Sequence, residues 1–148
     1  MAALAGVGCR QPPPVDPVAA AVLEGEWTVL LTVDPVPGPH RPDSIRGTMA
    51  LLVNRGGVTV PDFAGTPLNV GVHDLKLGVL SPGFDGKELP EVVASVHADS
   101  VVLVLGPGAS RPIQLRGTLV GDSVSGRWTS MQRAAVSLTG AFVLRRAR

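Results

Sequence analysis

Three histidines and a scatter of carboxylates are the side chains of this 148-residue chain best suited to proton transfer or metal binding. His73 is followed directly by Asp74, and His97 stands in a separate apolar segment. A histidine–carboxylate pair can relay a proton, and two imidazoles with a third ligand can hold zinc. Nothing in the spacing brings His73 and His97 together, and His40 lies among prolines in what reads as an exposed loop. Asp62, Asp74, Asp85, Glu88 and Glu91 offer acid–base groups, but none falls within a recognisable motif. The chain carries no Gly-x-Ser-x-Gly elbow, P-loop, dinucleotide fingerprint or zinc signature. The expectation is therefore a protein that is not an enzyme and needs no metal or cofactor.

A second pattern is apolar. Gly25, Gly47, Gly117, Gly126 and Gly140 each fall in the apolar phase of an alternating segment. Two residues later stands a larger side chain: Trp27, Met49, Leu119, Trp128 and Phe142. One consequence is an interior with side chains missing, able to take an apolar or lipid-like molecule. The residues that would line it are Trp27, Met49, Leu51, Leu115, Gly117, Gly126, Trp128 and Phe142. The other consequence is a barrel in which those gaps receive rings from across the interior, or in which glycine lets strands coil sharply. The second outcome is the better supported of the two by general packing.

These residues need strands to position them. The run Pro112 to Thr129 is the clearest: Ile113, Leu115, Gly117 and Leu119 face one way, and Gln114, Arg116 and Thr118 the other. Gly121-Asp122 turns the chain, after which Val124, Gly126 and Trp128 alternate with Ser123, Ser125 and Arg127. Further strands are expected over Gly25–Val33, Ser44–Asn54, Glu91–His97, Ser100–Leu105 and Val136–Arg146. Leu30 interrupts the alternation of the first of these. Val58–Pro61 reads as a short strand, and Leu68–Leu80 as one or two. Val101–Leu105 is apolar throughout, which suits a strand covered on both faces. The triplets Asp43-Ser44-Ile45, Asp99-Ser100-Val101 and Asp122-Ser123-Val124 each start a strand, with side chains able to bond the local backbone. The fold class is all-β: an antiparallel up-and-down β-barrel of about eight or nine strands, closed to remove exposed edges. Asp16–Leu23 is expected to form a short N-terminal helix, with Asp16 as cap and Pro17 as first helical residue.

Composition narrows the partners. The net charge is +1 and aromatic residues make up 3%, so neither electrostatics nor stacking favours nucleic acid. The run Arg145-Arg146-Ala147-Arg148 is a short basic stretch that could touch anionic lipid headgroups, but it reads more readily as a solvated terminus. With one cysteine, Cys9, no internal disulfide can form. No apolar run is long enough to span a bilayer as a helix.

The start of the chain divides from the rest: residues 1–24 as leader, tether and short helix, and residues 25–148 as the β domain. Ala2-Ala-Leu-Ala-Gly-Val-Gly8 is small and apolar, Cys9 follows, and Arg10 to Pro17 is proline-rich. This order resembles the tail of a truncated bacterial lipoprotein signal peptide. The resemblance implies acylation at Cys9, a membrane tether and an address in the bacterial cell envelope.

The β domain resembles the lipocalin-like (calycin-type) barrels. Gly25-Glu26-Trp27 opens the first strand after the short helix, and Arg145-Arg146 ends the last. In that group a Gly-x-Trp closes one barrel end and a basic side chain from the last strand packs over the indole. Here Trp27 and Arg145 or Arg146 would take those parts. The resulting expectation is a monomeric, membrane-tethered envelope lipoprotein that binds a small apolar ligand without catalysis. The alternative is a structural or protein-interaction lipoprotein with a side-chain-filled barrel.

Overall fold

The computed structural model describes residues 17–35, 43–53, 66–73, 91–106, 112–130 and 138–147. A single helical turn, α1 (Pro17–Ala20), tightens into a 3₁₀ turn at Ala21–Leu23. Eight strands follow: β1 (Gly25–Thr32), β2 (Ser44–Val53), β3 (Thr66–His73), β4 (Glu91–His97), β5 (Ser100–Leu105), β6 (Ile113–Val120), β7 (Ser123–Ser130) and β8 (Thr139–Arg146). Each pairs antiparallel with its neighbours in chain order, and β8 returns to β1. The product is the expected closed up-and-down barrel, its shortest ladder lying between β3 and β4, where residues 66–69 pair with 91–94.

Register follows from the alternation. Trp27 opposes Met49, Leu103 opposes Leu115, and Gly126 opposes Phe142, so the apolar phase of each strand meets that of its neighbour. A slip of one residue would turn every such set to solvent. The apolar phase forms one continuous core that includes Leu31, Ile45, Val92, Val101, Val124 and Leu144. Trp27, Trp128 and Phe142 are fully buried, and rings of this kind remove on the order of 150–250 Å² each from water. Val93 and Val104, on the outer phase of β4 and β5, are buried too, so this part of the sheet is covered on both faces.

Several boundaries differ from the sequence expectation. The helix is shorter than two turns: α-helical geometry ends at Ala20. A segment this short is held by packing and not by propensity, and Ala20 and Leu23 are its buried anchors. Asp16, the expected cap, lies outside the described residues, as do the segment 58–61 and everything in 74–90. β3 begins at Thr66, so Pro67 belongs to the ladder. It stands at the second residue, near a strand start, where a missing N–H disrupts least. The three Asp-Ser starts also work differently from the expected side-chain turn. The main-chain carbonyl of Asp43 accepts from Val33 N (3.0 Å), that of Asp99 from Leu119 N (2.7 Å) and that of Asp122 from Arg146 N (2.8 Å). In each case the aspartate carries the hydrogen bonding one step past the end of the strands.

Candidate functional site

All eight residues singled out as interior positions lie on strands whose alternate faces point inward. Trp27, Met49, Leu51, Leu115, Trp128 and Phe142 are buried, and Gly117 pairs with Gly126 on the neighbouring strand. The space beside the glycines is occupied. A Cβ on Gly117 would meet the Phe142 ring at 2.8 Å and still closer the Ser125 backbone. One on Gly126 would meet the Arg116 backbone, and one on Gly140 the Thr32 carbonyl and the Trp128 indole nitrogen. At these positions glycine admits rings and close backbone approach.

The two tryptophans secure opposite ends of the barrel. At the end where β1 begins, the Trp27 indole N–H donates to the Leu23 carbonyl (2.9 Å), tying the 3₁₀ turn over the opening. Arg146 stacks over the Trp27 ring, its guanidinium carbon 4.3 Å from the ring centroid. Arg146 also donates to the carbonyls of Glu24 (2.7 Å) and Val22 (2.8 Å). Of the two arginines named as possible partners for Trp27, Arg146 is thus the one. Arg145 is one residue out of phase and points away from the interior.

At the other end, the Trp128 indole N–H donates to the Thr32 carbonyl (2.7 Å). Asp34 follows, bound by Arg127 and by the Thr139 hydroxyl (2.9 Å). These two hydrogen bonds, Arg127 first, hold the Asp34 carboxyl below its ordinary value of 3.8. The group is exposed and its partners are ordinary surface residues, so the cluster reads as a strand-end clamp.

The histidines do not converge. On the β3–β4 ladder Asn69 pairs with Glu91; His73 lies four residues beyond Asn69 and His97 six beyond Glu91, in opposite directions, about 33 Å along the strands. His97 is exposed. Among the described residues no group of three His, Cys, Asp or Glu side chains stands close enough to hold a metal. His40, Asp62, Asp74, Asp85, Glu88 and the lipidation candidate Cys9 lie outside the described residues.

Among the described residues a concave feature lies on the outer surface. A half-open groove of about 550 Å³ runs across β2, β1 and β8. Its described lining includes Thr28, Leu30, Arg46, Thr48, Val143 and Arg145. The register sets these in two rows: Arg46, Leu30 and Val143 in one, Thr48, Thr28 and Arg145 in the other. Leu30 and Val143 form an apolar strip, while Arg46 and Arg145 stand at opposite corners. Sequence reasoning did not identify this groove. Its one signal was Leu30, the apolar residue out of phase in the first strand.

Comparison with known proteins places no label on this arrangement: no family model, no curated protein and no solved structure matches the chain at a significant level.

Proposed function

We propose that this is a lipocalin-like, lipid-anchored protein of the bacterial envelope whose barrel is filled by its own side chains. Its role is non-catalytic, as a structural or interaction module presenting its outer face. One observation supports the filled barrel above all: the gap at Gly117 is taken by the Phe142 ring. An eight-stranded barrel is of the size that side chains can fill completely. On this proposal Trp27, Met49, Leu51, Leu115, Trp128 and Phe142 serve as core and do not line a ligand cavity. The lipid anchor is supported by the sequence around Cys9, and the likeness to lipocalins by Trp27 and Arg146.

Native mass spectrometry of the protein purified from its own host, with its natural upstream codons, tests both parts. The expected species is the acylated polypeptide without a bound interior ligand, and labelled palmitate is incorporated at Cys9. A stoichiometric apolar molecule lost on denaturation, and still bound when both Arg46 and Arg145 on the outer face are replaced by alanine, would overturn the filled barrel. Labelling and membrane fractionation unchanged by Cys9→Ala would overturn the anchor.

A further inference from the structure

We infer that the groove across β2, β1 and β8 is a binding site for a single-chain amphiphile with an anionic head, such as an alkyl phosphate or a fatty carboxylate. The ligand class follows from the two rows of the lining. Arg46 and Arg145 are exposed, and neither guanidinium has a hydrogen bond or ion pair among the described residues. No carboxylate belongs to the described lining. Glu26 lies on the same outer phase of β1, beyond Thr28, but opposite Ala50 and outside the described lining. Among the described residues the groove therefore concentrates two positive charges with no carboxylate beside them.

The positions of the arginines suit one shared anion. Arg46 and Arg145 are separated by two strand spacings and one pleat repeat, a Cα separation of about 12 Å. Two extended arginine side chains span that gap from both sides, and their planar forks match phosphate or carboxylate oxygens. The Thr48 hydroxyl stands beside them. The Thr28 hydroxyl is already bonded to the Arg145 carbonyl (3.3 Å), which fixes that corner of the site. In the row of Arg46, Leu30 and Val143 are half-buried and adjacent in register. Apolar side chains on the outer phase of β1 and β8 gain nothing from the core. They give an alkyl chain a surface to lie on. The groove volume falls within the usual ligand-pocket scale.

Other occupants fit less well. A peptide binding by strand addition needs a free ladder edge, and at the groove β1 is paired on both sides, with β2 and with β8. Nucleic acid would want aromatic platforms, and the described lining has none. The site lies on the outer face and does not depend on the anchor at Cys9 or on whether the barrel interior is filled.

The test is isothermal titration of the full chain with dodecyl phosphate below its micelle concentration. Dodecanol, inorganic phosphate and phosphatidylcholine vesicles with and without phosphatidylglycerol serve as comparison arms. Dodecyl phosphate binds, and dodecanol and inorganic phosphate bind at least roughly tenfold more weakly, because each offers half of the contact. Arg46→Ala and Arg145→Ala each weaken dodecyl phosphate by roughly tenfold, while Arg116→Ala, on the far side of the barrel, leaves it unchanged. Leu30→Asn weakens dodecyl phosphate and leaves inorganic phosphate unaffected. Binding that survives removal of both arginines, or no binding of dodecyl phosphate at all, overturns the site. Binding confined to phosphatidylglycerol vesicles overturns the free amphiphile in favour of a membrane-docking face.

Discussion

The guanidinium of Arg146 lies over the indole of Trp27, 4.3 Å from the ring centroid, although 119 residues separate the two in sequence. The contact joins the last strand to the first, and through the carbonyls of Val22 and Glu24 it fastens the N-terminal turn as well. A Cβ on Gly25 would come within 2.9 Å of this same guanidinium, so the glycine and the arginine fit one another.

Arg146→Ala is expected to cost about 2–3 kcal/mol. The cation–π contact contributes about 0.5–2 kcal/mol and the charge-assisted bonds to carbonyls supply the rest. The nearby Asp122 carboxylate, 3.4 Å away and well exposed, adds little. Arg146→Lys recovers only part, because an ammonium cannot stack and reach two carbonyls at once. Arg145→Ala stays within about 0.5 kcal/mol of the parent. Urea denaturation of the three variants separates these outcomes, and equal losses for Arg145 and Arg146 would refute the assignment.

The parts of this fold legible in the sequence are those with a clean period. The β6–β7 hairpin alternates without a break from Ile113 to Trp128, so its faces and its turn at Gly121-Asp122 can be placed within a residue. Trp27 and a terminal arginine were legible as partners only through the resemblance to lipocalin-like barrels; phase then selects Arg146 over Arg145. The fate of the glycine gaps was not legible. Alternation shows that Gly117 faces inward but says nothing of which ring arrives from β8, since Phe142 comes from a strand 25 residues further on. The outer groove was hidden for a related reason. Leu30 looks like an isolated irregularity until closure sets Arg46 on one side of it and Val143 on the other. Such a cross-strand triplet has no signature along the chain.

Gly117→Ala and Gly140→Ala should each destabilise the barrel by about 1–3 kcal/mol or more, since a new methyl must displace backbone or an aromatic ring. Gly121 provides the contrast. It has φ +58° at the β6–β7 turn, and a Cβ there meets nothing within 4 Å. Gly121→Ala therefore pays a backbone cost alone, about 1 kcal/mol. Gly121→Asn lowers that cost, because asparagine tolerates the left-handed region. Thermal unfolding of the four variants gives the ranking, and a Gly140→Ala protein as stable as the parent would mean that the Trp128 ring is not lodged against that residue.

Trp128→Ala should cost roughly 3–5 kcal/mol, the usual loss for a buried aromatic. Trp128→Phe keeps most of the packing and loses the indole bond to the Thr32 carbonyl, for about 1–3 kcal/mol. Arg127→Ala, on the opposite face of the same strand, should lie within about 1 kcal/mol of the parent, since its ion pair with Asp34 is exposed. Chemical denaturation curves decide it. Similar losses at 127 and 128 would mean that the faces of β7 are assigned the wrong way round.

The Asp34 clamp makes a prediction about acid. Hydrogen bonds from Arg127 and Thr139 stabilise the Asp34 carboxylate and lower its pKa in the folded state below 3.8. In the unfolded chain the same group titrates near its ordinary value, about 3.9. The folded state thus binds the proton less readily, so the clamp's contribution is fully present above the unfolded pKa. It is lost as pH falls through the folded one. Asp34→Asn removes the titration. The difference in denaturation midpoint between parent and Asp34→Asn should be constant at neutral pH and shrink in acid, below about pH 4. Arg127→Ala should move the Asp34 carboxyl resonance back towards an ordinary titration, read by carbon NMR. A stability difference that does not change between neutral pH and strong acid would refute the coupling.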